Sequence, residues 1–550
     1  MTEPEQMSAA SSSPWTPFAH REFSVLWLAV VISSTGTWMN DVGSGWLMAT
    51  LAPSPLMVAL VQAATTAPVF LFALTAGAIA DNVDRRKLLI VVASLMALTA
   101  ALLALLVGLG RIDSRLLLVF AFLLGTGAAF MAPAWQAIVP QLVTRDKLGA
   151  AIALNSVGMN LSRAIGPTLA GLLIVAVGIA APFALNAVGL TVIVAALAWW
   201  RPAAAPVSAL PTERIGGAIL TGLRYTLHSG PLRATLLRTV AFVLFASAYW
   251  ALLPVIAKTT LRGDARLYGV LLGCVGVGAV IGALLLPRLR QRLGADLIVA
   301  AGTLGTALVL AAFALLTHPY AAAAAAVFAG LSWIAILSSL NLSTQMALPD
   351  WVRARGVSVF LTAFFGSMAL GAVIWGNVAT RFGIPTALLL AAAGALLSIP
   401  LTWRAKLGQH EAQDLAPSLH WPAPMILLDV PHDRGPVMIT IEYRIDRADA
   451  EVFLSLICEL AQARRRMGAV QWGIMEDAAR PGWYVEYFFE ASWLAHLRHH
   501  ERVAGADRLL QERIHALHRG ETPPAVRHLL APRCERSRPA PRGASVRSNE

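Results

Sequence analysis

Before residue 404 the chain is a succession of apolar runs separated by short polar loops. Each run is long enough to cross about 30 Å of hydrocarbon as a helix. The runs fall near 23–51, 56–80, 88–110, 115–139, 149–178 and 181–200, then near 234–260, 267–286, 296–317, 320–345, 355–380 and 384–403. This predicts twelve transmembrane helices in two sets of six. The connection between the sets, 201–233, is Pro- and Ala-rich and then amphipathic, a pattern suited to lying along the cytoplasmic surface. After Trp403 the pattern changes. Val437, Ile439, Ile441, Tyr443 and Ile445 alternate with polar or long side chains, as in a strand with one wet face. Phe453, Leu456, Ile457 and Leu460 follow at helical spacing. Strands near 470–477 and 482–490 flank a Pro481-Gly482 turn, helices run to about 518, and VRHLL ends the series as a further strand. The order βαββαβ predicts a ferredoxin-like α+β soluble domain.

Composition agrees with a membrane protein: 57% of the 550 residues are hydrophobic, 13% are charged, and the mean hydropathy is +0.64. Charge is uneven, with a net +11 over 1–403 and +1 over 404–550. The cations sit in short loops between apolar runs, which argues for membrane orientation rather than nucleic-acid binding. With a cytoplasmic N-terminus, fifteen loop cations, Arg238 and Arg290 among them, lie inside and six outside, so both termini are expected in the cytoplasm. The three cysteines, Cys274, Cys458 and Cys534, form no CxxC pair, and the polar, acidic start lacks the pattern of a cleaved signal peptide. A weak internal repeat matches Pro140 with Pro349 and Val143 with Val352, as expected of duplicated halves.

The expected layout is an N-terminal tail over 1–22, a six-helix bundle over 23–200, a cytoplasmic linker over 201–233 and a second bundle over 234–403. A linker over 404–433, the ferredoxin-like domain over 434–532 and a disordered tail over 533–550 complete it.

Asp41, flanked by Asn40, is the one acidic residue read as lying deep in a span, and Arg163 the one deep cation. An ionisable group at that depth is costly unless it faces a cavity or a partner, so the two are candidates for coupling or for a structural ion pair. Trp38, Asn40, Gln136, Tyr249, Trp250, Asn341 and Gln345 fall in spans one, four, seven and ten. An aromatic and amide lining suits a bulky amphipathic molecule, although Trp near span ends also anchors at the lipid interface. In the tail, His496 and His500 stand four apart on a helix near His499, His515 and His518. Without a cysteine or a second carboxylate motif this reads as a solvated, Arg-rich face, with no metal and no cofactor expected.

The hinge GAIADNVDRRK resembles the major facilitator superfamily motif between the second and third helices. Gly77, Asp81, Arg85, Arg86 and Lys87 match, while Asn82 and Asp84 depart from it. The resemblance implies the two-bundle fold, a central cavity lined by spans one, four, seven and ten, and a latch in which Asp81 meets the N-terminal end of the eleventh helix near Gly356–Ser358. Gly166, Pro167 and Gly171, in RAIGPTLAGLL, resemble the fifth-helix motif associated with antiporters. Two longer stretches, GTWMNDVGSGWLMATLAPSPLMVALVQ and SWLAHLRHHERVAGADRLLQERIHALH, are similar to the bacterial branch of large-substrate exporters called transmembrane secretion effectors. The tail in turn resembles small antibiotic-biosynthesis monooxygenase domains.

These resemblances imply a bacterial inner-membrane exporter of a siderophore, antibiotic or drug-like compound in exchange for protons. Its partners would be that substrate, the proton and the bilayer, with self-association through the tail domain. A membrane-tethered enzyme or ligand sensor, and an importer of a small nutrient, remain the alternatives.

Overall fold

The computed structural model describes residues 15–52, 54–144, 147–201, 215–408, 414–416, 418, 420–421, 430–431 and 433–532. The chain forms two compact units, Met1–Ala412 and Gln413–Glu550.

In the first unit the apolar runs become α1 (Arg21–Leu51), α2 (Pro55–Asn82), α3 (Arg85–Gly108), α4 (Ser114–Ile138), α5 (Leu148–Ala176) and α6 (Ala181–Trp199). The connection supplies α7 (Ile215–His228). Then come α8 (Gly230–Val255), α9 (Ala265–Leu315), α10 (Pro319–Met346), α11 (Arg353–Phe382) and α12 (Ile384–Thr402). Eleven helices among the described residues are long and apolar enough to cross a membrane. The count is one short of twelve because two expected spans run together in the 51-residue α9. Gly294 interrupts that helix with φ 72° and ψ 167°, a backbone state open to glycine, so α9 turns a corner there. Arg290, expected in a loop, instead lies on the helix before the corner and donates to the Ser339 hydroxyl at 3.3 Å.

Short polar side chains start these helices. Asp84, the departure from the superfamily pattern, accepts from the Lys87 backbone N–H at 3.1 Å and caps α3. Asp113 and Asp264 do the same for α4 and α9. Arg86 donates to the carbonyls of Leu197 and Ala198, both at 2.8 Å, satisfying the C-terminal end of α6. Part of the hinge's cationic run is therefore structural.

The reading of Asp41 and Arg163 as the only deep charges needs correction. Arg238, assigned to a loop by the sequence, lies in the third turn of α8 and is 4% exposed. It is paired at 2.7 Å with Asp296, two residues after the corner in α9.

α7 is amphipathic as expected and lies against the joint of α10 and α11. Tyr225 meets Trp351 edge to face at 5.7 Å, and a Cβ at Gly222 would stand 2.7 Å from the Arg355 Cβ.

The second unit holds β1 (Val437–Arg444), α13 (Ala450–Met467), β2 (Gln471–Glu476), β3 (Trp483–Glu490), α14 (Trp493–Arg502), α15 (Gly505–Ala516) and β4 (Ala525–Leu530). The strands form one small antiparallel sheet in the order β2-β3-β1-β4. The alternating apolar side chains of β1 are buried with Phe453, Ile457 and Leu460 of α13. One ionic group is wholly enclosed there. Glu486 accepts from Arg464 at 3.1 Å, Trp472 at 3.0 Å and Tyr443 at 3.1 Å.

Candidate functional site

The N-terminal half contributes α1 and α5 to the centre of the first unit. Small residues let them touch: a Cβ at Gly166 would stand 2.8 Å from the Trp38 Cβ and 3.1 Å from the Thr35 carbonyl oxygen. Above that contact the Arg163 guanidinium lies 5.4 Å from the Trp38 ring centroid. Arg163 and Asp41 form no ion pair among the described residues. Arg163 is instead within electrostatic reach of Tyr249 on α8, and Asp41 of Tyr268 on α9. The Asp41 side chain is exposed, whereas Asn40 beside it is buried.

The C-terminal half supplies an aromatic cluster. The Tyr249 and Trp250 rings lie 5.4 Å apart, and Trp333 of α10 meets them at 6.4 and 5.3 Å. Phe242, Phe313 and Phe364 extend the set. The sequence reading missed Trp333, Phe313 and Phe364, since each lies in an apolar run whose other residues are packing residues. Proximity to Tyr249 and Trp250 exists only after the helices are packed. Tyr249 Oη and Trp250 Nε1 of this cluster, and Asn40 Oδ1 and Arg163 Nε on α1 and α5, are buried without a hydrogen-bond partner among the described residues. Buried polar atoms are nearly always bonded, so four such atoms from α1, α5 and α8 call for a functional account.

The other cavity candidates stand apart. Gln136, Asn341 and Gln345 are exposed near the C-terminal ends of α4 and α10, and Gln345 donates to Asn341 at 3.0 Å. A separate cleft of about 390 Å³ between α9 and α10 is lined by Ala283, Leu286, Pro287, Arg290, Gln291 and Ser338, and none of the predicted residues faces it.

The two halves close on each other where α1, α5 and α8 end and α2 and α9 begin. Trp46 stacks on Tyr268 at 6.4 Å, Lys258 donates to the Ala49 carbonyl at 2.7 Å, and the Leu56 N–H donates to Thr380 at 3.0 Å. Gly171 and Gly269 cross without side chains between them. A Cβ at Gly171 would come 2.7 Å from the Ala265 carbonyl oxygen, and one at Gly269 would come 2.6 Å from that of Pro167. At the opposite end α2 meets α11, where a Cβ at Gly77 would lie 3.4 Å from Ser358 Oγ. Asp81 is in the last turn of α2, but its side chain, and so the latch itself, lies outside the described residues.

In the second unit the expectation of a solvated histidine face fails. His496 and His499 are 1% and 2% exposed, and their Nδ1 atoms bond the buried Glu490 carboxylate, which His496 reaches at 3.0 Å. Glu490 arrives from β3, so periodicity along the helix alone could not reveal it.

Known proteins agree with this architecture. A POT family transporter in complex with 5-aminolevulinic acid superposes with a TM-score of 0.58 at 13% identity, over 70% of this chain and 96% of that one. A bacterial homologue of the human lysosomal transporter Spinster, in an inward-facing and occupied conformation, gives a TM-score of 0.54 at 14% identity, over 72% and 97%. At such identities the likeness is one of fold. In sequence, the chain is 25% identical to the staphyloferrin A transporter of Staphylococcus aureus over 47% of its own length and 65% of that protein. It is 27% identical to the enterobactin exporter EntS of Salmonella typhimurium over 65% of this chain and 86% of that one. Against the multidrug efflux pump Tap of Mycolicibacterium fortuitum it is 27% identical over 68% and 91%. The transmembrane secretion effector family matches residues 12–538, nearly the whole sequence. The chain is therefore a multi-pass membrane transporter and not an enzyme, and it belongs to the transmembrane secretion effector family.

Proposed function

We propose that this transporter exports a bulky, amphipathic organic compound, siderophore-like or drug-like, in exchange for protons. The carrying observation is the set of polar atoms buried without a partner among the described residues, Tyr249 Oη and Trp250 Nε1 in an aromatic wall with Asn40 Oδ1 and Arg163 Nε on α1 and α5. Rings supply broad apolar contact and the buried polar atoms fix orientation, the pattern of a site for a large organic molecule. The names of the siderophore and multidrug relatives support the same substrate class.

In this reading the chain crosses the inner membrane twelve times with both termini in the cytoplasm, the corner at Gly294 dividing α9 into two crossings. The halves rock about the central wall. The contacts at Trp46, Ala49 and Gly171 then form the outer seal, and the Gly77–Ser358 approach brings the Asp81 turn of α2 up to the N-terminal end of α11, where a helix dipole favours a carboxylate. Asp41 carries the proton, and Arg163 holds the cavity side of α5. The second unit is a ferredoxin-like domain, as its strand order supports. Its edge strands β2 and β4 leave Met475, Val526 and Leu529 exposed for self-association.

Inverted membrane vesicles test this reading. Imposing an acid interior should drive dye or siderophore into them, and collapsing the pH gradient should stop it. Asp41→Asn should abolish the gradient-driven part while substrate still binds. Uptake that is indifferent to the gradient and to Asp41→Asn would refute proton exchange through this residue.

A further inference from the structure

The second unit carries a constellation that transport does not use. Ser492 starts α14 by accepting from the Ala495 N–H at 3.2 Å, which sets His496 and His500 one turn apart on one face. β1 pairs with both β3 and β4. Its Val437 lies opposite Glu490 and its Ile439 opposite His528, so the sheet brings a carboxylate and a third imidazole to the same helix face. The His496 ring centroid is 4.7 Å from that of His500 and 4.7 Å from that of His528. One ring nitrogen from each of the three lies within 4.8 Å of the others.

We propose that His496, His500 and His528 form a binding site for one divalent transition-metal ion of the Zn²⁺, Co²⁺, Ni²⁺ or Cu²⁺ class, with Glu490 orienting the first ligand. Two imidazole nitrogens bonded to one such ion at about 2.0–2.1 Å stand roughly 3.3 Å apart in tetrahedral geometry. The Nε2 atoms of His496 and His500 are already 3.1 Å apart. His528, half-buried on the edge strand β4, has a ring nitrogen within 4.8 Å of theirs.

The surroundings are those of a metal site. His496 Nδ1 donates to Glu490 at 3.0 Å, so its Nε2 lone pair points into the cluster, the carboxylate–histidine arrangement that fixes ring and tautomer behind a metal. His499 Nδ1 bonds the same buried carboxylate, so Glu490 is held in place behind His496. A transition metal takes the neutral ring as its ligand, and His500 and His528 each present a ring nitrogen to the cluster. Three imidazole ligands favour borderline ions over Mg²⁺ or Ca²⁺. His500 and His528 are only half-buried, which leaves a coordination position open to an outside ligand.

The test uses full-length protein in detergent, purified through a tag without histidine and stripped with a chelator. One equivalent of Co²⁺ should give visible d–d bands that Zn²⁺ abolishes. His500→Ala and His528→Ala should each weaken binding at least tenfold, and Glu490→Gln by about ten- to a hundredfold. Metal-free melting curves establish that the variants are folded. If His528→Ala fails to fold, His528→Gln takes its place. Absence of Co²⁺ bands at saturating metal, or equal binding by wild type and the folded variants, would overturn the site.

Discussion

Arg238 on α8 and Asp296 on α9 stand 2.7 Å apart with the arginine sealed from solvent, and the same carboxylate accepts the Leu407 N–H at 3.3 Å. One ion pair thus joins two helices to the segment that follows α12. The attraction is offset by the cost of enclosing the arginine beside a part-exposed carboxylate, so removing one partner is worse than removing both. Asp296→Ala or Arg238→Met alone should lower stability by about 3–5 kcal/mol. The double variant Arg238→Met with Asp296→Leu should recover much of that loss. Thermal unfolding in detergent measures it, and a double variant as damaged as the sum of the singles would contradict the account.

The Gly171–Gly269 crossing leaves no room for a side chain, since each added Cβ would press on backbone rather than on a movable side chain. Gly171→Val and Gly269→Val should therefore separate α5 from α9 and leave that end leaky or open. Accessibility of a cysteine placed at Ala265 to a membrane-impermeant thiol reagent should rise several-fold, with transport lost. Gly149, whose added Cβ would meet nothing within 4 Å, provides the control, because Gly149→Val should leave both unchanged.

In the second unit, Arg464 and Glu486 are both nearly sealed, with Tyr443 and Trp472 as the carboxylate's other donors. Arg464→Met would leave a buried carboxylate short of its main partner and should cost about 3–5 kcal/mol. Glu486→Gln keeps the shape and some hydrogen bonds, and should cost less. Limited proteolysis of the tail in the full-length protein reads both, and equal resistance of Arg464→Met and wild type would remove the pair from any structural role.

Much of the architecture was legible because lipid forces regular spacing: a chain with no water at hand must form long apolar helices, and these show as runs. The strands of the tail showed through alternation, and each expected strand from 437 to 530 is present. What escaped was whatever tertiary packing decides. Arg238 looks like a loop cation because its partner Asp296 is 58 residues on, and Gly294 reads as one more glycine until its φ is known. His528 could not be joined to His496 from the sequence, since only the pairing of β1 with both β3 and β4 brings them together. Likewise Trp333 gains meaning from Tyr249 and Trp250, which reach it from another helix.

The approach of α2 to α11 gives the most direct test of rocking. A Cβ at position 77 would stand 3.4 Å from the Ser358 hydroxyl oxygen, close to the separation of a Cβ from the far sulfur of a disulfide. With Cys274, Cys458 and Cys534 replaced by alanine, Gly77→Cys with Ser358→Cys should cross-link readily under mild oxidation. If this end must part for substrate to enter, the oxidised protein should lose nearly all transport and regain it on reduction, while each single variant retains it throughout. A cross-linked protein that transports at the parent rate would show that α2 and α11 stay together through the cycle, and would place the moving gate elsewhere.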